Sequence, residues 1–244
     1  MTCSFLQQMQ ISFDLGASDD LRQVRDLLDR AFGPLPLPDQ RDPLSQLVKS
    51  LISTRTLDRL SEAAFDRLRE TFPDWPELME ALPEAIEPVI SEVTFPEAKA
   101  RNLPVVLRQI HRDLGSFDLD FLRGWPVERA LAWLERLPGV GLEVASATLN
   151  TSTLQLPVFV VDTHVHRVLG RYGVFGLTSS SRAAYRAVSD ATPGWTAAEL
   201  SEFHDLLKRL GQTLCRANEM RCPQCPLRMQ CSTGAKLRHR PTRS

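Results

Sequence analysis

Apolar residues recur along this chain at the three- and four-residue spacing of amphipathic helices, and no segment alternates between apolar and polar residues as a strand does. Asp42 and Pro43 have the pattern of a helix start, a capping side chain followed by proline. Thr196 and Glu199 have the spacing of a capping box. The pattern therefore predicts an all-α protein. The predicted helices cover 18–32, 42–52, 57–72, 76–82, 83–90, 96–114, 127–137, 162–172, 181–191 and 196–211, and one more begins at Leu142.

A very short turn, Pro138-Gly139-Val140-Gly141, joins two of these helices. Its length predicts a helix–hairpin–helix, and its glycines allow positive φ and close approach of a backbone. The second helix begins with free N–H groups beside a surface without side chains, which is an anion site that suits a phosphodiester. An ordinary pair of antiparallel helices has the same pattern. Asp162 follows at the end of the apolar segment 154–161.

The composition suits one large or two small domains, with 244 residues of which 43% are hydrophobic. The N-terminus lacks the basic and apolar regions of a signal peptide, and no apolar run is long enough to span a membrane. We therefore expect a cytoplasmic protein, associated with the nucleoid if bacterial. The net charge is −1, but the residues from Asp205 onward include nine Lys or Arg and two Asp or Glu. Such a basic end is typical of a segment that binds nucleic acid or of a solvated tail.

Four of the five cysteines lie close together near the C-terminus, separated by six, two and five residues. They are Cys215, Cys222, Cys225 and Cys231, while Cys3 stands alone and has no predicted role. Clustered cysteines in an intracellular chain favour a metal site over disulfides. Both zinc and an iron–sulfur cluster take four thiolates, and the spacing alone does not decide between them.

These motifs together carry a family resemblance. The matching segments are 137–141, 149–151, 161–164 and 167–168, together with the four-cysteine array and, more weakly, 51–56. With them the chain resembles the endonuclease III branch of the helix–hairpin–helix DNA glycosylase superfamily, over about residues 18 to 232.

The resemblance implies a bilobed fold with a DNA cleft between the lobes. One lobe would be a six-helix barrel of residues 38–155 that contains the hairpin at 127–153. The other would combine 18–37 with 156–232 and hold a 4Fe-4S cluster on the four clustered cysteines, with zinc as the alternative. Residues 233–244 would be a mobile basic tail. The protein would act as a monomer on double-stranded DNA containing a damaged or abasic site, and it would not associate with a membrane.

The resemblance also implies roles for individual residues. Asp162 would be the catalytic acid that stabilises positive charge on the sugar or orients water. Arg55 and Phe95 would fill the gap left by a rotated nucleotide. Each of these residues also has a purely structural alternative. Asp162 would only cap its helix, Arg55 would be a solvated charge, and Phe95 would be a core aromatic. The predicted DNA-binding set is completed by Pro138, Gly139, Val140, Gly141, His164, Arg167, Arg216, Arg221 and Arg228.

Glu143 is where the chain departs from the family. Bifunctional relatives carry a lysine here, whose amine attacks the sugar and forms a Schiff base. A carboxylate forms no imine, so Glu143 predicts weak or absent lyase activity. As a structural alternative, Glu143 suits the positive end of its helix. Lys49 is a candidate substitute amine or else an ordinary solvated lysine. Ser50 stands where the adenine-removing branch has glutamate, which disfavours that branch.

Three functional hypotheses follow. In the first, the protein is a monofunctional glycosylase that hydrolyses the glycosidic bond of an oxidised pyrimidine, uracil or mismatched thymine, with Asp162 and a possible contribution from Glu143. In the second, it binds DNA or senses damage with little catalysis. In the third, it is a bifunctional glycosylase and abasic-site lyase that uses another amine.

Overall fold

The predicted all-α fold is confirmed in a computed structural model that describes residues 14–33, 35 and 40–238. Within these residues there are twelve α-helices and two 3-10 helices, and no strand. The α-helices are α1 (Asp14–Phe32), α2 (Pro43–Ser53), α3 (Asp58–Thr71), α4 (Trp75–Glu80), α5 (Pro83–Ile86), α6 (Pro96–Leu114), α7 (Val127–Leu134), α8 (Leu142–Thr151), α9 (Thr163–Tyr172), α10 (Ser181–Ala191), α11 (Ala197–Thr213) and α12 (Ser232–Arg238). No described helix is long and apolar enough to cross a membrane.

Local signals account for most helix ends. Asp42 caps α2, because its Oδ1 accepts a hydrogen bond from Ser45 N at 2.9 Å. Gly115 ends α6 in the left-handed region with φ 66° and donates to His111 O. The capping box of Thr196 and Glu199 is formed at the start of α11.

Several boundaries differ from the predictions. The helix predicted to start at Ser18 begins at Asp14. The helix predicted to end at Leu137 ends at Leu134, because the chain then turns through the hydrogen bonds that lead into the hairpin. The residues from Ser232 to Arg238 form a helix that was not predicted, and the mobility of the tail at 233–244 stays a prediction. Cys3 and the last six residues lie outside the described part of the chain.

The chain divides into two compact units, and one of them is Pro38–Val158. The corresponding predicted boundary was 155. In this unit α2 packs against α3, α6 and α8, and α6 also packs against α4 and α5. Its fully buried side chains include Leu47, Val48, Ile52, Leu68, Leu107 and Leu149. This packing fixes the N-terminal half of α6 and the start of α8, which carry much of the site described below.

The other unit contains the remaining described residues. Here α9 packs against α11 and α12, and α1 packs against α10 and α11. Phe203 is fully buried, with its ring centroid 5.7 Å from Phe159 and 5.4 Å from Trp195. Arg25 of α1 donates to Glu199 of α11 at 3.2 Å. The packing of α9 against α11 and α12 places the helix that follows Asp162 beside the two helices that flank the cysteine segment.

Candidate functional site

The predicted hairpin is present between α7 and α8. Gly139 has φ 73°, a conformation that favours glycine, whereas Gly141 is extended with φ −97° and ψ 179°. Only one of the two glycines is therefore required by its backbone angles. A Cβ added at Gly141 would meet no atom within 4 Å. Gly141 precedes α8 without a side-chain cap, so the first N–H groups of that helix open onto bare backbone.

Asn102 of α6 supports this turn, a role that the sequence did not reveal. Its Nδ2 donates to Pro138 O at 2.9 Å. The same atom would lie 2.5 Å from a Cβ built on Gly139. The hairpin therefore needs glycine at 139 both for its backbone angle and for the approach of Asn102.

Arg55 and Phe95 line one cavity of about 400 Å³ within the Pro38–Val158 unit. Both are exposed, and Phe95 retains 57% of its surface, so it is not a core aromatic. Both have φ 57°, and Gln155 is the other non-glycine residue with positive φ in the described chain. Such strain persists where surrounding contacts impose it, and it is concentrated at functional sites. Gly139 of the hairpin lines the same cavity.

Asp162 is the N-cap of α9, and its Oδ1 accepts a hydrogen bond from Val165 N at 2.7 Å. The cap fixes the direction of the carboxylate at the start of the helix. Two residues later His164 is half-buried, and this burial lowers the pKa of its imidazole. The Asp162 carboxylate opposes that shift, whereas the Arg167 and Lys208 charges add to it.

Arg167 was predicted to contact DNA, and this role stays a prediction. Its guanidinium donates to Cys215 O at 2.9 Å and to Gly211 O at 2.9 Å, and it lies 3.1 Å from His164 Nδ1. These bonds join α9 to the start of the cysteine segment. Arg167 therefore has a structural task that the sequence pattern did not indicate.

Glu143 lies in the first turn of α8 with an exposed side chain. Glu143 stands two residues after Gly141, and its match to the family's amine position stays a prediction. Lys49, the predicted substitute, has its Nζ 3.3 Å from Glu62, which also pairs with Arg41. It does not line the cavity of Arg55 and Phe95. Lys49 thus belongs to an ion-pair network on the α2–α3 side.

The four clustered cysteines are free thiols that line a common pocket with Arg171 and Arg228. Arg171 organises this segment. Its guanidinium donates to Cys215 Sγ at 3.4 Å and to the carbonyls of Arg216 at 2.6 Å and Ala217 at 3.1 Å. Its own carbonyl accepts from Cys231 Sγ at 3.3 Å.

Burial raises the pKa of the Cys225 thiol to about 11, and burial together with neighbouring cysteines raises that of Cys222. No three His, Cys, Asp or Glu among the described residues are placed to hold a single metal ion. The four thiols share a pocket, and the metal or cluster that they would hold stays a prediction.

Two of the predicted basic contacts in this segment are exposed and paired with the same acid. Arg221 donates to Glu219 at 2.9 Å, and Arg216 lies 3.7 Å from it. Their DNA-binding role, like that of Arg228, stays a prediction.

A family model of HhH-GPD superfamily base excision DNA repair proteins matches residues 48–193, which is more than half of the chain. The chain belongs to the HhH-GPD superfamily. Endonuclease III of Thermotoga maritima is 28% identical over 194 residues, which are 79% of this chain and 84% of that relative. Endonuclease III of Bacillus subtilis is 26% identical over 222 residues, 89% of this chain and 95% of that relative. A putative DNA glycosylase of Arabidopsis thaliana is 31% identical over 147 residues, or 60% of this chain, which spans half the length of that relative.

Solved structures agree with the sequence relatives. A non-covalent endonuclease III–DNA complex has a TM-score of 0.75 at 25% identity, covering 91% of this chain and 99% of the other. A trapped endonuclease III–DNA covalent intermediate gives a TM-score of 0.74 with the same coverage. A thermostable thymine-DNA glycosylase shares the fold, with a TM-score of 0.71 at 18% identity. The predicted resemblance is confirmed, and the protein is an endonuclease III-like DNA glycosylase.

Proposed function

We propose that this glycosylase is monofunctional: it hydrolyses the N-glycosidic bond of an oxidised pyrimidine, uracil or mismatched thymine in duplex DNA and lacks efficient lyase chemistry. The observation that carries the proposal is the exposed carboxylate of Glu143 in the first turn of α8. A carboxylate cannot form the imine that strand cleavage by this family's route requires.

Two of the chain's four lysines give little support to a substitute. The four lysines are Lys49, Lys99, Lys208 and Lys236. Lys49 is paired with Glu62. The Nζ of Lys99 donates to three acceptors, two of them carbonyl oxygens. The ammonium form of Lys99, which donates one proton to each of these three acceptors, has no lone pair to offer a sugar carbon.

The proposed reaction begins with binding of the phosphate backbone. The bare N–H groups at the start of α8 would take a phosphate, as helix N-termini do. Arg55 and Phe95 would enter the duplex as the damaged nucleotide rotates out, because a stacked base is not accessible. Their exposure and shared cavity support this role.

Asp162 would then act on the extruded nucleotide. Cleavage of the glycosidic bond leaves positive charge on the sugar, which a fixed carboxylate stabilises, or the carboxylate orients the attacking water. The cap bond to Val165 supports this role because it holds the carboxylate in one direction. Glu143 lowers the positive potential where phosphates would approach, so we expect weaker DNA binding than a lysine would give.

We further propose that the four cysteines hold a 4Fe-4S cluster. The supporting observation is the pocket that all four cysteines line, since a 4Fe-4S cluster is held by four thiolates. Thiols whose pKa is raised by burial need a compensating positive charge to bind as thiolates. When bound, the cluster would supply covalent cross-links that order this segment. Arg216, Arg221 and Arg228 would then face DNA as a basic loop.

The test uses duplexes with an oxidised pyrimidine, uracil, a G·T mismatch or an abasic site. Half of each reaction is treated with hot alkali and half with borohydride. Nicking only after alkali, without a trapped adduct, is the expected result. A trapped adduct in wild type would refute monofunctional chemistry, and no product from any substrate would favour a damage-sensing protein.

Two variants sharpen this test. Asp162→Asn should abolish base removal at unchanged stability, because asparagine also caps helices. Glu143→Lys should restore adduct trapping, whereas its matched control Glu143→Gln should strengthen DNA binding without any adduct. If Asp162→Asn keeps full activity, the assignment of Asp162 is wrong.

A further inference from the structure

Lys99 of α6 reaches back to the end of α2. Its Nζ lies 2.6 Å from Ile52 O, 2.9 Å from Thr54 O and 3.0 Å from Thr56 Oγ1. An ammonium has three N–H donors, so these three acceptors use all of them. Lys99 is half-buried, and this burial lowers the pKa of its amine to about 8. The last turn of α2 contains no basic residue, so Lys99 supplies the positive charge that a helix C-terminus favours.

The segment held in this way carries Arg55. Arg55 lies between two residues that bond to Lys99, and its φ of 57° places it in the left-handed region. Phe95, the next residue with a left-handed φ, is connected to the same network. Thr94, which precedes Phe95, donates its hydroxyl to Arg55 O at 2.9 Å and its N–H to Thr56 Oγ1 at 3.0 Å. The two side chains at the cavity mouth are therefore tied together through Lys99 and Thr56.

We propose that Lys99 is a positioning residue, which holds Arg55 beside Phe95 so that both side chains enter the duplex together. This inference rests on the proposed function, since it assumes that Arg55 and Phe95 enter DNA. A non-glycine residue keeps a left-handed φ only where its surroundings impose it. Without Lys99, the carbonyls of Ile52 and Thr54 lose their donor, and the Arg55 backbone can relax.

Asn102, one turn further along the same helix, strengthens this assignment. It holds the hairpin through Pro138 O at 2.9 Å. One face of α6 therefore supports the wedge residues through Lys99 and the phosphate-binding turn through Asn102, and both side chains line the cavity with Gly139. Lys99 would act on DNA distortion, while Asn102 would act on backbone binding.

The experiment measures binding to two duplexes, one undamaged and one with a tetrahydrofuran abasic analogue opposite a fluorescent adenine analogue. Binding is followed by anisotropy, and unstacking of the opposite base by its emission. The variants are Lys99→Met, Arg55→Ala and the double variant. Arg101→Met is the matched control, because it removes one positive charge from an exposed position of the same helix.

Lys99→Met should weaken binding to the abasic duplex by about tenfold and reduce the unstacking signal. Its affinity for the undamaged duplex should equal that of Arg101→Met. Arg55→Ala should cost much less affinity in the Lys99→Met background than in wild type, because residues in one network are not additive. Hydrogen exchange in the 53–57 segment should rise in Lys99→Met and not in Arg101→Met.

The inference is overturned if Lys99→Met distinguishes the two duplexes as well as wild type, or if the two substitutions are additive. If Lys99→Met fails to fold, Thr56→Val provides the same test, since it removes the hydroxyl that joins Lys99 to Thr94. If wild type itself does not distinguish the duplexes, the proposed function fails and this inference fails with it.

Discussion

Gly139 and Gly141 are two residues apart in the hairpin, yet the same substitution should affect them in different ways. At Gly139, alanine would have to keep φ 73°, which costs roughly 1–2 kcal/mol for a residue with a Cβ. The new methyl would also displace the Asn102 amide and weaken its bond to Pro138 O, worth about 1 kcal/mol. Alanine also lowers the conformational entropy of the unfolded chain, which stabilises the folded state by about 0.4–1 kcal/mol. The net loss should be about 1–2 kcal/mol.

At Gly141 the backbone is extended and the space is open, so alanine should leave stability unchanged or raise it by about 0.5 kcal/mol. The methyl would, however, stand beside the first N–H groups of α8. Loss of a phosphate contact there should lower DNA affinity with little change in the slope of log affinity against log salt, because that slope counts phosphates neutralised by Lys and Arg.

The assay combines thermal unfolding with anisotropy titrations at several salt concentrations. Gly139→Ala should lower Tm by about 2–8 °C, and Gly141→Ala should keep Tm while losing DNA affinity. If Gly141→Ala loses as much stability as Gly139→Ala, the backbone argument is wrong. If it binds DNA with the wild-type affinity, the bare start of α8 is not a phosphate site.

Three further outcomes are expected. Replacement of the strained Gln155 or Arg55 by glycine should each raise stability by about 0.5 kcal/mol, and only Arg55→Gly should lose affinity for the abasic duplex. Thr196→Ala should lose about 1 kcal/mol at neutral pH, since it removes the hydroxyl that caps α11. The backbone N–H and the hydroxyl of Thr196 hold the pKa of Glu199 below its ordinary value, so the part of the contribution that comes from the hydroxyl's bond to this carboxylate is present at neutral pH and lost as the pH falls through the folded-state pKa. The bond that the hydroxyl accepts from Glu199 N does not depend on the carboxylate. Denaturant titrations at falling pH should therefore bring the two proteins closer in stability without making them equal. Arg171→Met should lower the iron and sulfide bound per chain, measured by metal and sulfide analysis, because two carbonyls and a thiol of the cysteine segment lose their donor.

Features encoded by neighbouring residues could be predicted from the sequence. The helices Pro96–Leu114 and Ser181–Ala191 have the predicted bounds, and α9 begins after Asp162 as expected. Caps, prolines and apolar spacing act within one or two turns, so their signals are local. The cysteine array and the hairpin were found for the same reason.

The predictions failed where an end depends on distant contacts or weak signals. The end of α7 is set by the hydrogen bonds that lead into the hairpin, and the helix Ser232–Arg238, which was not predicted, packs against α9. The hairpin itself was predicted, but neither the last residue of α7 nor the packing partner of α12 is visible in a local pattern.

By itself the sequence determined the all-α fold, the helix–hairpin–helix, the grouping of the cysteines and the replacement of the family lysine by Glu143. The tertiary structure alone decided which side chains support those elements. Lys99 bonds to residues 43 to 47 positions away, and Asn102 to one 36 positions away. Arg167 donates to carbonyls 44 and 48 positions away. Such partners meet only because the packing of buried helix faces brings them together. Hydrophobic packing is not directional, so no local sequence pattern predicts which polar side chains it will pair.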